Sequence, residues 1–160
     1  MIDPLLLPVL SALGGVALAQ GVAMLQSWLE RENKRQILLR TKSEELGAHF
    51  LVSMKLPHAL MKCTSTEDIL ETTLQASGNN AHLLALVYFP ELRPATGQYI
   101  ESYSELLMAA TSLYNSHDKR PLGMQVFDKP EYIEARNNHI GARDHLQDQI
   151  EIHAPAYTKS

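Results

Sequence analysis

The sequence predicts an all-α protein, with an N-terminal transmembrane helix continuous with the first of about four helices in a cytoplasmic antiparallel bundle. Three observations lead there. Between Asp3 and Glu30 stand 26 consecutive residues without a charged side chain. From Trp28 onward, apolar residues return every three or four positions, which is the period of a helix. No alternating run surrounds an Asn-Gly or Asp-Gly pair, so hairpins have no signal.

The opening segment is long enough to span a bilayer. A helix rises about 1.5 Å per residue and the hydrocarbon core is roughly 30 Å thick, so about 20 apolar residues suffice. Pro4 and Pro8 fall in or near the first turn, where a missing N–H costs little. Ala17-Leu18-Ala19 resembles a signal-peptidase site, but a signal peptide opens on Lys or Arg, and only Met1, Ile2 and Asp3 precede this run. A buried globular helix would show a polar stripe. Ser11, Gln20, Gln26 and Ser27 do not form one. The expectation is a retained anchor over residues 1–29.

Charge sets its orientation. Arg31, Lys34, Arg35, Arg40 and Lys42 follow the span and no Lys or Arg precedes it, which predicts an outside N-terminus and a cytoplasmic C-terminal domain at the inner (plasma) membrane of a bacterial cell. Trp28, with Arg31, Lys34 and Arg35, is the expected interfacial anchor. Gly14, Ala17 and Gly21 recur at spacings of three and four, with Gln20 beside them. Small residues let helix backbones approach in lipid, and an amide can bond across the contact, so this face is a candidate for self-association.

The domain expected over residues 30–153 follows in four helices. The first leaves the membrane and carries Leu39, Leu46, Phe50 and Met54 on one face until Pro57 ends it. Ser65 with Glu67 and Asp68 forms the start signal of the second, whose stripe of Leu70, Leu74, Ser77, Ala81, Leu84 and Tyr88 keeps phase through Gly78-Asn79-Asn80 as far as Phe89. Pro90 stops it, and residues 90–97 read as a tight connection. The third, over residues 98–115, buries Ile100, Tyr103, Leu107, Ala110 and Tyr114. A loop is expected over residues 116–126. Asp128 and Pro130 then open a polar last helix reaching Ile152, with a thin edge of Tyr132, Ile133, Ile140, Leu146 and Ile150, on the outside of the bundle. Residues 154–160 read as a loose tail.

Composition excludes some functions. The single cysteine, Cys63, rules out an internal disulfide. Residues 65–160 carry seven Lys and Arg against thirteen Asp and Glu, the wrong sign for a nucleic-acid-binding domain. Seven histidines invite a metal site, yet no H-x-x-x-H or E-x-x-H pair appears, so no metal or cofactor is expected. No G-x-S-x-G, Gly-rich phosphate loop or Walker lysine is present, and no enzyme motif emerges. The polar types on the last helix are spaced as solvated ion pairs, and Arg136, His139, Arg143 and His145 make a candidate partner face. The function these residues suggest is a single-span membrane module that docks, scaffolds or signals at the cytoplasmic face. Its partners would be the lipid bilayer and a protein or second copy of the chain. The competing class is a toxin or antiphage effector that oligomerises through the span and damages its own membrane.

Overall fold

The computed structural model describes the backbone of residues 6–74 and 78–158 and the side chains of residues 20–73 and 78–157. Regular structure is entirely helical, with no strand among the described residues. The helices are α1 (Leu6–Ser53), α2 (Leu56–Leu60), α3 (Thr66–Leu74), α4 (Gly78–Tyr88), α5 (Arg93–Ser112), α6 (Leu122–Val126) and α7 (Pro130–Thr158), and a 3-10 turn at Pro90–Leu92 joins α4 to α5. By its contacts the chain divides into two units, Met1–Leu38 and Leu39–Ser160.

In the first unit, no described side chain from Gln20 to Leu38 is buried. Its polar residues bond along the helix, as Arg35 to Glu32 at 3.8 Å and Gln36 Nε2 to Glu32 Oε1 at 3.4 Å. The predicted span falls mostly on residues 1–19, whose side chains lie outside the described residues. Among the described residues, no helix is long and apolar enough to cross a membrane.

The second unit holds the core, and α5 is its axis. Leu46 of α1 packs with Ala81 and Ala85 of α4 and with Phe89 and Leu92. Phe50 meets Ala95, Tyr99 and Leu146. Toward the other end of α5, Leu106 and Ala110 join Leu60, Cys63, Ile69, Leu122, Val126, Tyr132 and Ala135. Residues 95–99 of α5 lie by Leu146 and residue 106 by Tyr132, so α5 and α7 are antiparallel neighbours. Burying each large aliphatic or aromatic side chain contributes about 1.5–3 kcal/mol, and these residues supply most of the driving force.

Local chemistry sets the boundaries. Ser65 Oγ accepts the Asp68 N–H at 3.1 Å, while Asp68 Oδ2 accepts the Thr64 N–H at 3.3 Å, closing a reciprocal cap before α3. The Asp68 carboxyl is lowered below its ordinary range, first by the Thr64 N–H and then by the Ser65 hydroxyl. Pro57 stands in the first turn of α2, where its absent N–H costs nothing, and Leu56, expected outside helical geometry, is instead the first residue of that helix.

Several expectations need correction. The connection over residues 90–97 is the 3-10 turn plus the first turn of α5, because Pro94 sits at a helix start, where its fixed φ suits the geometry. The loop over residues 116–126 contains α6, and buried Gln125 ties it down: its Oε1 accepts the Asn115 N–H at 2.9 Å and its Nε2 donates to the Arg120 carbonyl at 2.7 Å. Leu70 is exposed and Ile69 takes the core position. The polar last helix is not peripheral, since Tyr132, Ala135, His139 and Leu146 are all buried. The tail expected from Ala154 is helical as far as Thr158. An unbroken helix from residue 66 to Phe89 would pass through residues 75–77, which lie outside the described residues.

Candidate functional site

Helix α5 meets its neighbours through one repeated polar device. A serine or threonine on a helix donates its only hydroxyl proton to a carbonyl three or four residues back, leaving the oxygen free to accept from a ring donor on another helix. Ser53 Oγ donates to the Phe50 carbonyl at 2.7 Å and accepts from the Tyr99 hydroxyl at 2.8 Å. Thr96 Oγ1 donates to the Leu92 carbonyl at 3.0 Å and accepts from His82 Nδ1–H at 3.0 Å. Ser102 Oγ donates to the Tyr99 carbonyl at 2.9 Å and accepts from His139 Nδ1–H at 3.3 Å. These bonds fasten α5 to α1, α4 and α7 in turn.

The same polarity decides what Ser102 and His139 can do chemically. A serine nucleophile needs a histidine that takes its proton. Here the serine proton is committed to a carbonyl and the imidazole is the donor, so the pair is a structural bond. His139 is 4% exposed, with the Tyr99 ring centroid 5.1 Å away and that of Tyr103 5.6 Å away. Desolvation first, then the Arg143 charge, lower its pKa to about 4, so it is neutral at pH 7. Desolvation likewise pushes the Tyr103 hydroxyl up to about 12.

The expected partner face on α7 therefore does not assemble as read. Arg136 and His145 are exposed. Arg143 lies against Asp144 at 2.7 Å, and His139 points into the core. His145 instead borders an open polar groove of about 460 Å³ between α5 and α7, walled by Glu101 and Glu105 on one side and Asn137 and Asn138 on the other, with Ser102 and Gly141 in its lining. No group of three or more His, Cys, Asp or Glu that would hold a metal ion occurs among the described residues. Cys63 is a buried filler whose Sγ lies 3.6 Å from the Ala59 carbonyl and 3.5 Å from Thr72 Oγ1.

Two groups of exposed large apolar side chains stand close together, each along one helix. In the first unit, Val22, Met24, Leu25, Trp28 and Leu29 of α1 are each more than half exposed. Gln20 and Gly21 are exposed there too, and a Cβ placed on Gly21 would meet nothing within 4 Å, so that face is open to a neighbour. Gly14 and Ala17 have side-chain positions outside the described residues. Trp28, Arg31, Lys34 and Arg35 all face solvent. In the second unit, Leu83, Leu86 and Val87 form an outward strip on α4. That helix is apolar on both faces, which is unusual unless something covers the outer one. The sequence reading missed this strip, although its i, i+3, i+4 spacing was visible beside the inward series of Ala81 and Ala85.

No family model, curated protein or solved structure matches the chain.

Proposed function

We propose that the protein is a single-span membrane-anchored helical module whose cytoplasmic bundle docks a partner protein through the outward strip of α4. The observation that carries this reading is the belt of exposed large apolar side chains from Val22 to Leu29, which ends at Glu30 and continues an uncharged run back to Pro4. A helix apolar on all sides is stabilised by burial in protein or in hydrocarbon, and the large side chains of this belt are exposed. The basic residues from Arg31 to Lys42 then lie on the cytoplasmic side, where anionic lipid attracts them. A binding role rather than chemistry is favoured because the Ser53–Tyr99, Thr96–His82 and Ser102–His139 pairs are spent in bonds between helices.

Membrane attachment is tested by floating lysed-cell membranes on a density gradient after an alkaline carbonate wash. The chain is expected to float with lipid, and recovery in the carbonate supernatant overturns the anchor. Docking is tested by cross-linking in intact cells: one discrete adduct is expected, lost in the Leu83→Glu, Val87→Glu variant. An adduct pattern insensitive to those changes removes α4 from the interface, whereas collapse of membrane potential on overproduction supports the damaging effector instead.

A further inference from the structure

The end of α7 is held unlike the rest of it. Pro155 stands inside the helix, with no N–H to give to the Glu151 carbonyl and a ring that crowds that carbonyl. The turn beyond it is fastened from outside. The Tyr157 ring meets Phe89 edge-on, with centroids 4.7 Å apart at 61°. The Tyr157 hydroxyl donates to Glu91 Oε2 at 2.9 Å, across 66 positions of sequence. The backbone N–H of Glu91 itself, then the tyrosine, hold the Glu91 carboxyl below the usual range, so the tyrosine bonds a charged acceptor.

Beneath this turn lies a partly enclosed cavity of about 60 Å³. Leu46, Phe89, Leu92, Ile150, Ala154 and Tyr157 line it, with the Ser43 and Tyr157 hydroxyls as its polar groups. A water needs roughly 10–15 Å³ and two to four polar partners. There is room here, but few partners: the Ser43 hydroxyl gives its proton to the Arg40 carbonyl at 2.8 Å and the Tyr157 hydroxyl gives its own to Glu91, so both can only accept. Apolar walls of this kind gain free energy when an apolar guest covers them. The cavity's volume admits only the end of a chain, and its polar neighbours are Ser43 and the Tyr157 hydroxyl that bonds Glu91.

We propose that this cavity binds the end of an aliphatic chain and that the last turn of α7, beyond Pro155, is its lid, latched by the Tyr157–Glu91 hydrogen bond. The inference is independent of the docking reading, since neither α4's outer strip nor the N-terminal belt takes part.

The test uses the full chain in lipid nanodiscs with labelled Leu, Ile and Ala methyls, titrated with n-alkanols from ethanol to hexanol. Saturable shifts are expected at Leu46, Leu92, Ile150 and Ala154. Affinity should rise about fourfold per added methylene while the cavity fills and then level off. Ala154→Leu and Ser43→Leu fill the space from opposite walls, and whichever keeps the parent's melting temperature should abolish the shifts at the remaining methyls. Tyr157→Phe keeps the ring but opens the latch, so exchange should quicken severalfold with affinity within about twofold. Shifts that never saturate, that climb with chain length without a plateau, or that survive filling overturn the site. An unchanged exchange rate in Tyr157→Phe overturns the lid.

Discussion

His139 carries the clearest single-residue consequence. Free histidine titrates near 6.5, and in the fold this one titrates at about 4, because it is enclosed by Tyr99 and Tyr103 with the Arg143 charge nearby. Between those values the unfolded chain binds a proton that the folded chain refuses, so stability is greatest above 6.5 and falls as pH drops toward 4. The loss from this residue is at most about 3 kcal/mol. Urea unfolding from pH 7.5 to 4.5 should show this slope, and His139→Gln should flatten it while lowering stability at pH 7. A slope unchanged in His139→Gln would assign it to other groups. At Ser102 the prediction is different in kind. Ser102→Ala leaves the His139 Nδ1–H without its acceptor, which costs about 1–3 kcal/mol at pH 7, measurable as a fall in the urea midpoint. None of these pairings was legible in the sequence. Ser53 and Tyr99 are 46 residues apart and Ser102 and His139 are 37 apart, and no local spacing encodes a contact made when two helices meet.

At the scale of elements, periodicity specified part of the core. Leu46, Phe50, Tyr103, Ala110, Tyr132 and Leu146 are core residues at the positions their spacing implied. Leu70 and Ile133, which their spacing placed on buried faces, are exposed, and other misreadings come from residues whose type disguises their place. Thr96, Ser102 and His139 look like surface residues, yet they are buried because each finds its hydrogen-bond partner inside. Pro94 looks like a loop residue but suits a helix start, and Pro155 looks like a terminator although Tyr157 holds the next turn in place. Helix α4 gives the element-scale prediction, because its two apolar faces are separable. Ala85 is fully buried and small where α1 and α4 meet, so Ala85→Leu overpacks and should cost about 1–3 kcal/mol. Leu83→Glu and Val87→Glu face outward and should leave the melting transition within about 0.5 kcal/mol while abolishing the cross-linked adduct. Comparable destabilisation by both kinds of change would mean the outer face is already part of the fold.

For the whole molecule, the division between Leu38 and Leu39 matters most, because the buried apolar core draws nothing from before Leu46 among the described residues. Under the proposed anchor, folding of the second unit and insertion of the first into lipid are expected to be separable free energies. Leu18→Arg places a charge near the middle of the uncharged run and leaves no apolar stretch of the required length of about 20 residues. On insertion scales such a charge costs about 3 kcal/mol, enough to shift a marginal span from lipid to water by roughly two orders of magnitude. The variant should leave the membrane fraction, while the unfolding midpoint of the bundle and the His139 pH slope stay at their parent values. Hydrogen exchange of the α5 and α7 amides, compared between parent in nanodiscs and Leu18→Arg in solution, reads both at once. Equal protection in the two samples follows if the core is self-sufficient, and loss of protection in α5 together with loss of the membrane would tie the two units into one cooperative structure.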